Sequence, residues 1–324
     1  MPQRKLYGEV AVQHTVLAYG ETLWDLLPSG PQLGGAPFNF CYRVDELGDL
    51  GLMVTRLGRD ELGRKAWDRI VALGMDTRLV QWDEEASTGT VEVDLTDPNN
   101  PDFHIVPGVA YDDIEVTDEL LEAAEEADMV CFGTLIQRTA RSRRTLHRAL
   151  EAASEALRLL DINLRKECYT RETVARSLRR ADVLKLNDDE AGELASMFGF
   201  SEPDLRGFCD LAMDRWNLSH VVVTLGEAGA FAADEAGERV HVPGFRVELV
   251  DACGSGDAFT AGFAHRLLRG RSLEECCRLG NAFGALVATH DGATTPVPLE
   301  TVREFLDREH DRVGEPELDD YRTG

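Results

Sequence analysis

No run of about 18 or more apolar residues occurs in the 324-residue chain, so a membrane-spanning helix is not expected. The first twenty residues, MPQRKLYGEVAVQHTVLAYG, lack the continuous apolar stretch of a secretory signal, and a cytoplasmic location is expected. None of the seven cysteines (Cys41, Cys131, Cys168, Cys209, Cys253, Cys276, Cys277) forms a C-x-x-C pair, which argues against a zinc site and a dithiol redox motif. Most sit in apolar segments and are expected to be reduced core thiols. Lysine is scarce: only Lys5, Lys65, Lys166 and Lys185 occur among 34 basic residues, against 59 acidic ones. The formal net charge of −25 would repel a nucleic-acid backbone, yet a local pocket can still accept a small anion. Acidic excess with few lysines fits a high-salt setting, and a G+C-rich coding sequence alone would also favour arginine.

Two nucleotide-binding signatures are missing as well. No G-x-x-x-x-G-K-[ST] occurs, so a P-loop is excluded. No G-x-G-x-x-G follows the first apolar run, which leaves a dinucleotide fold poorly supported. The eight histidines form no metal-like cluster and are assigned no chemistry.

What is present is an alternation of short apolar runs and amphipathic segments, the pattern of an α/β protein. Strands are expected at 15–20, 50–58, 128–135, 157–163, 181–187 and 220–226, and helices at 36–47, 60–73, 138–155, 170–180, 188–198 and 203–216. Near-continuous apolar runs such as HVVVTL suit a parallel sheet covered on both faces. Two stretches break the rhythm, at about 21–35 and 86–112, where period-two alternation and Pro-Asn turns predict a small second sheet. A main domain over 1–314 and a loose acidic tail over 315–324 complete the organisation.

One stretch carries chemistry. In VDACGSGDAFTAGF (250–263), Gly254 and Gly256 sit at a loop-to-helix junction, where free N–H groups and the positive end of a helix favour an anion. An apolar run, ERVHVPGFRVELV, is expected to form a strand ahead of it. Asp257 would by itself be an ordinary first-turn acid. Flanked by these glycines, it also meets the needs of phosphoryl transfer to a hydroxyl: a carboxylate takes the proton while N–H groups offset developing charge.

LGGAPFNFCYRVDELG near the N-terminus and DACGSGDAFTAGF near the C-terminus together resemble the two signatures of the ribokinase-like (PfkB-type) carbohydrate kinases. The resemblance covers nearly the whole chain and implies a three-layer α/β/α sandwich with a mostly parallel central sheet and a small β-sheet lid. It implies that Asp257 is the base, with Gly254, Ser255 and Gly256 forming the anion hole beside it. NDDE (187–190) resembles the N-x-x-E element, so Asn187 and Glu190 are expected near the donor phosphates, with Glu190 holding Mg²⁺ through water. TLGEAGA (224–230) and GNAFGALVATHDGATTP (280–296) resemble nucleotide-binding segments, implying that Thr224, Gly226 and Asn281 line the ATP pocket. Asp251 and the loop at 288–294 are candidates for a monovalent cation, with K⁺ the ion the resemblance implies. GETLWDLLPSG, CFGTLIQR and DINLR resemble the fructokinase branch, with Asp25, Gly34, Gly35, Asn39 and Arg165 binding sugar. Carboxylates and amides suit a polyol, because each takes paired hydroxyl hydrogen bonds.

The resemblance thus implies an ATP- and Mg²⁺-dependent fructokinase that dimerises through its lid. 2-Keto-3-deoxygluconate kinase, another sugar or nucleoside kinase, and a catalytically silent sugar-binding relative are the alternatives. Cys253 stands where the family has another small residue and is expected to be a packed, inert thiol. A reactive thiolate near a helix N-terminus is the other reading.

Overall fold

The computed structural model describes residues 12–27, 30–94, 102–201 and 204–321. The strands are Thr15–Tyr19 (β1), Leu23–Leu27 (β2), Gly30–Gly34 (β3), Leu50–Gly58 (β4), Val80–Asp83 (β5), Gly89–Asp94 (β6) and Asp102–Ile105 (β7). They continue with Met129–Phe132 (β8), Leu157–Asp161 (β9), Val183–Asn187 (β10), His220–Thr224 (β11), Ala230–Asp234 (β12) and Arg239–Val242 (β13). The helices are Ala36–Glu46 (α1), Glu61–Ala72 (α2), Asp118–Glu125 (α3), Ala140–Ala152 (α4) and Arg171–Leu178 (α5). Asp188–Phe198 (α6), Leu205–Trp216 (α7), Ser255–Leu267 (α8), Leu273–Ala288 (α9) and Leu299–Leu306 (α10) follow.

Nine strands form one sheet in the order β13-β12-β11-β10-β9-β8-β1-β4-β5. From β11 to β5 every neighbour pair is parallel; β12 pairs antiparallel with both β11 and β13, so it alone runs against the rest. Side chains alternate between two cores. Leu17 and Tyr19 of β1 join one packed by α3 to α7, whereas Val16 and Ala18 join one packed by α1, α2, α8 and α9. Both faces are therefore covered, which explains why the strands read as unbroken apolar runs. β2, β3, β6 and β7 form a separate sheet in the order β3-β2-β6-β7, in the two stretches where period two was expected. The Pro-Asn turns fall outside the described residues.

Two expectations are corrected. The run at 238–250 is not one strand: β13 stops at Val242, because Pro243 has no N–H for the ladder, and only the two-residue piece Gly244–Phe245 follows. Leu249 and Val250 are 66% and 60% exposed, so their apolar character does not mark a buried strand. The tail is not loose over Pro316–Tyr321. Those residues form a 3-10 turn in which Leu318 is buried and Tyr321 sets its ring edge against Phe231 at 5.4 Å.

α8 and α9 pack closely because glycines face each other. A Cβ on Gly262 would lie 3.0 Å from the Gly280 Cα, so the backbones touch with no room for a side chain. Gly262→Val should therefore push the helices apart and cost about 1–3 kcal/mol. Urea denaturation checks this; an unchanged midpoint would show that the interface yields freely.

Candidate active site

The carboxyl ends of β1, β8, β9, β10 and β11 share one edge of the parallel sheet, where α/β ligands bind. The Gly-Ser-Gly-Asp turn meets this edge at the start of α8. Gly254 caps the helix in the left-handed region at φ 76° and presses on Ala293, so glycine is required there by conformation as well as contact. Gly256 is less constrained: a Cβ on it would meet only Lys185 Nζ, at an ordinary contact distance of 3.6 Å. Ser255 N–H closes a turn onto Ala252 O at 3.2 Å. The N–H groups of Gly256 and Asp257, in the first helical turn, are the cradle's available donors.

Asp257 is buried, and its Oδ2 accepts a hydrogen bond from Asn39 Nδ2 at 2.8 Å, joining two segments 218 residues apart. Burial and the nearby Asp161 push its carboxyl up to about 6, opposed by the Asn39 bond and the charges of Lys185 and Arg165. Asn39 Oδ1 is buried without a partner, an acceptor left available at the site.

The residues expected on the sugar side also converge. Asp25 on β2 lies over Gly34 on β3, where an added Cβ would stand 3.2 Å from Asp25 Oδ2. Burial raises the Asp25 carboxyl above its ordinary value, and Arg165 opposes this. Gly35 caps α1 at φ 115°, and a Cβ there would strike Glu21 O at 2.5 Å. Arg165 is an exposed residue, yet its charge reaches Glu21, Asp25 and Asp257.

On the other side, Asn187 caps α6 with a reciprocal box. Asn187 Oδ1 accepts from Glu190 N–H at 2.7 Å and Glu190 Oε2 accepts from Asn187 N–H at 2.9 Å. Glu190 Oε1 accepts from Leu164 N–H at 2.9 Å, tying α6 to the loop that carries Arg165. Thr224 pairs with Asn187 across β10 and β11. Gly226 opens a 3-10 turn with φ 55°, and this turn sits against Val242–Gly244. Asn281 of α9 holds the same segment from behind, donating to Val242 O at 2.9 Å and Pro243 O at 3.3 Å. Asp251 bridges two loops: Oδ1 accepts from Cys253 N–H at 2.9 Å and Oδ2 from Gly292 N–H at 3.0 Å.

Cys253 is exposed, not packed as expected, because it lies in the open turn ahead of α8. Local desolvation and the carboxylates of Asp251, Asp257 and Asp25 push its thiol up to about 12, so it stays protonated. The other six cysteines are buried and free.

Three groups escaped the sequence reading. Lys185 and Asp161 pair at 3.1 Å inside the sheet, both 6% exposed, and Asp161 Oδ2 also accepts from Thr260 of α8 at 2.9 Å. Asp161, Asp257 and Glu190 together hold the Lys185 ammonium above its ordinary pKa despite burial. Glu21, also buried, is pushed by desolvation up to about 7, with Asp257 adding to the shift. A signal for Lys185 existed, since one of only four lysines interrupts the apolar run VLKLN.

A three-layer sandwich with a small sheet beside a helix-terminal anion cradle is the ribokinase-like architecture. Residues 29–300 match the pfkB family carbohydrate kinases. The chain is 31% identical to Fructokinase-1 of Zea mays over 90% of this chain and 96% of the relative. Among solved structures, it resembles fructokinase from Vibrio cholerae in a form with fructose, ADP and calcium bound, with TM-score 0.78 and 25% identity over 91% of this chain and 99% of that one. Fructokinase from Xylella fastidiosa with bound ATP has the same fold, with TM-score 0.78 at 23% identity over 90% and 98% of the two chains. The chain belongs to the pfkB family of carbohydrate kinases. No helix among the described residues is long and apolar enough to cross a membrane.

Removing one member of the buried pair should cost more than removing both. Lys185→Met leaves Asp161 charged and unpaired and should destabilise by about 3–5 kcal/mol. Adding Asp161→Leu should recover much of that loss. Thermal and urea unfolding of the single and double variants check this; equal losses in both would show that the pair is not the stabilising unit.

Proposed function

We propose that the chain is an ATP-dependent fructokinase, transferring the γ-phosphoryl group of ATP to a primary hydroxyl of fructose. The observation that carries this reading is Asp257: a buried carboxylate, held by Asn39, directly after the N–H groups that open α8. In the reaction the hydroxyl oxygen forms a bond to phosphorus, the bond to the ADP oxygen breaks, and Asp257 takes the hydroxyl proton. Gly254, Ser255, Gly256 and Asp257 frame the transferred group, with the Gly256 and Asp257 N–H groups facing it. Asp25, Gly34, Gly35 and Asn39 bind the sugar, and Arg165 offsets phosphate charge from the edge of β9.

Thr224, Gly226 and Asn281 form the nucleotide side, an assignment supported by Thr224 pairing with Asn187, by Gly226 opening the turn that follows β11, and by Asn281 holding Val242 and Pro243 beside that turn. Lys185, though absent from the motifs, stands beside Gly256 and is assigned to keeping the Asp257 carboxyl ionisable, with its ammonium paired to Asp161. The donor set of Asn187 and Glu190 fits magnesium: it is all oxygen, and both Glu190 oxygens already accept N–H groups, which favours contact through metal-bound water. When bound, Mg²⁺ would neutralise phosphate charge. Asp251 is the candidate for a monovalent cation, because it joins the cradle turn to the 288–294 loop. The small sheet would close over the sugar and exclude water. Its outer strands β3 and β7 have no further partner among the described residues, which supports a homodimer formed through the lid. A cytoplasmic enzyme acting on small molecules is consistent with these features, and no nucleic-acid partner is proposed.

The acids favour a neutral sugar over 2-keto-3-deoxygluconate. Glu21, Asp25 and Asp257 crowd the acceptor side, while the ammonium of Lys185 is committed to Asp161. An intact, buried Asp257 likewise opposes a silent relative.

ADP release measured with ATP and a panel of fructose, ribose and 2-keto-3-deoxygluconate tests the assignment. Fructose should give the highest kcat/KM, and turnover with none of them would defeat the kinase reading. Asp257→Asn should lower kcat by about 10²–10⁴-fold while the protein stays folded. Near-normal turnover would remove Asp257 as base.

The acid limb follows from the raised carboxyl. The base acts only when deprotonated, so kcat/KM should fall about tenfold per pH unit below about 6. The sign for stability is opposite. A raised folded-state pKa favours the folded form fully below the unfolded value near 3.8, and the gain is lost as pH rises through about 6. A flat kcat/KM between pH 5 and 7 would contradict the assignment of that group.

A further inference from the structure

Arg43 is completely buried, an unusual position for a guanidinium. It lies on α1, one turn after Asn39, on the same side of the helix. Its Nη2 donates to Ala293 O at 2.5 Å and its Nη1 to Thr295 O at 3.0 Å and to the Glu46 carboxylate. Glu46 Oε1 in turn accepts from Val297 N–H at 2.7 Å and from Tyr42 Oη at 3.1 Å. One turn of α1 thus grips alternate residues of a single loop, at 293, 295 and 297. Arg43 also lies 5.1 Å from the Tyr42 ring centroid and 5.6 Å from that of Phe283.

That loop is the wall behind the anion cradle. A Cβ on Gly254 would fall 2.6 Å from the Ala293 Cβ, so the cradle's first residue rests on Ala293. One residue earlier, Gly292 N–H is held by Asp251, which also holds Cys253 N–H. The same helix reaches the cradle from the other side, where Asn39 donates to Asp257. Stability alone does not account for Arg43. Buried ion pairs are often replaceable by apolar side chains without loss, and its Nε is buried with no partner.

Resting on the kinase reading above, we infer that Arg43 is a positioning residue for phosphoryl transfer, fixing the 293–297 loop so that Gly254 and the cradle N–H groups keep register with the carboxylate that Asn39 orients. It touches neither substrate nor the reacting atoms. Its loss should lower kcat while leaving sugar binding nearly intact, because Asp25 and Gly34 belong to β2 and β3, and Gly35 and Asn39 lie at the other end of α1 from the contacts Arg43 makes with the 293–297 loop.

The test compares Arg43→Ala, Arg43→Lys and the double variant Arg43→Met with Glu46→Gln, which leaves no unpaired buried charge and guards against failure to fold. Arg43→Ala should lose about 30–100-fold in kcat, as expected for a small misplacement of the cradle, with fructose KM within about threefold. Millimolar guanidinium should restore at least about tenfold of that loss, because a free guanidinium can donate to both carbonyls. Arg43→Lys should be impaired too, since one ammonium cannot reproduce the planar fork, and guanidinium should not help it. The double variant should fold and show the same fall in kcat. Wild-type kcat in the folded double variant would overturn the inference. So would a loss in Arg43→Ala that only follows its melting temperature and gains nothing from guanidinium. Wild-type enzyme is assayed in parallel: if it phosphorylates fructose and the variants match it, only the role of Arg43 falls, whereas an inactive wild type removes both readings.

Discussion

Asp257 must be removed from water and yet remain able to ionise, and the carboxyl edge of the sheet is arranged around that requirement. Burial alone would hold the carboxyl neutral well above its ordinary range. The Asn39 bond and the charges of Lys185 and Arg165 pull it back to about 6, which leaves it ionised at neutral pH but little stabilised. A weak base suits the proposed role of Asp257, because in a loose transition state the hydroxyl proton leaves late. The arrangement costs stability, the usual condition of a residue kept for reaction rather than for folding.

The three glycines of the motif show how differently one residue type can serve that end. Gly254 takes a left-handed backbone and rests on Ala293, Gly256 leaves space beside Lys185, and Gly262 admits α9 against α8. Only the second concerns approach to the ligand side. The first aims the helix and the third anchors it, so the cradle's position is set at two points outside the reacting centre. α1 adds the remaining constraint through Asn39 and Arg43, which hold the carboxylate and the wall behind it.

The architecture was legible wherever periodicity reported burial. β4 and α6 fall at 50–58 and 188–198, where apolar spacing put them, because both faces of the sheet are covered and α6 carries its own cap. Composition misled where burial and hydropathy part: Leu249 and Val250 look like core yet are exposed, and Leu318 sits in an acidic segment yet is buried. The cradle was legible because it is contiguous. The Lys185–Asp161 pair and the Arg43 grip were not, since each joins residues far apart in the chain and neither belongs to a local pattern. A charged residue inside an apolar run was the available sign in VLKLN, and the arginine on the buried face of α1 was its counterpart.

The charges of the site also bear on what must enter with the nucleotide. Glu21, Asp25, Asp161, Glu190 and Asp257 face a smaller set of cations, Lys185 and Arg165, in a chain already at −25. One of these cations is neutralised by Asp161 at 3.1 Å. A triphosphate placed here without further cations would meet net repulsion in a medium that screens poorly. The helix terminus supplies only about half a charge. This charge balance favours the proposed divalent ion carried on the phosphates, and Glu190, with both oxygens already accepting N–H groups, would hold that ion through its water shell. The same excess of acids makes discrimination inexpensive: a neutral polyol can donate hydroxyls to Asp25 and Asn39, whereas an acidic sugar would add charge where the protein has the least means to balance it.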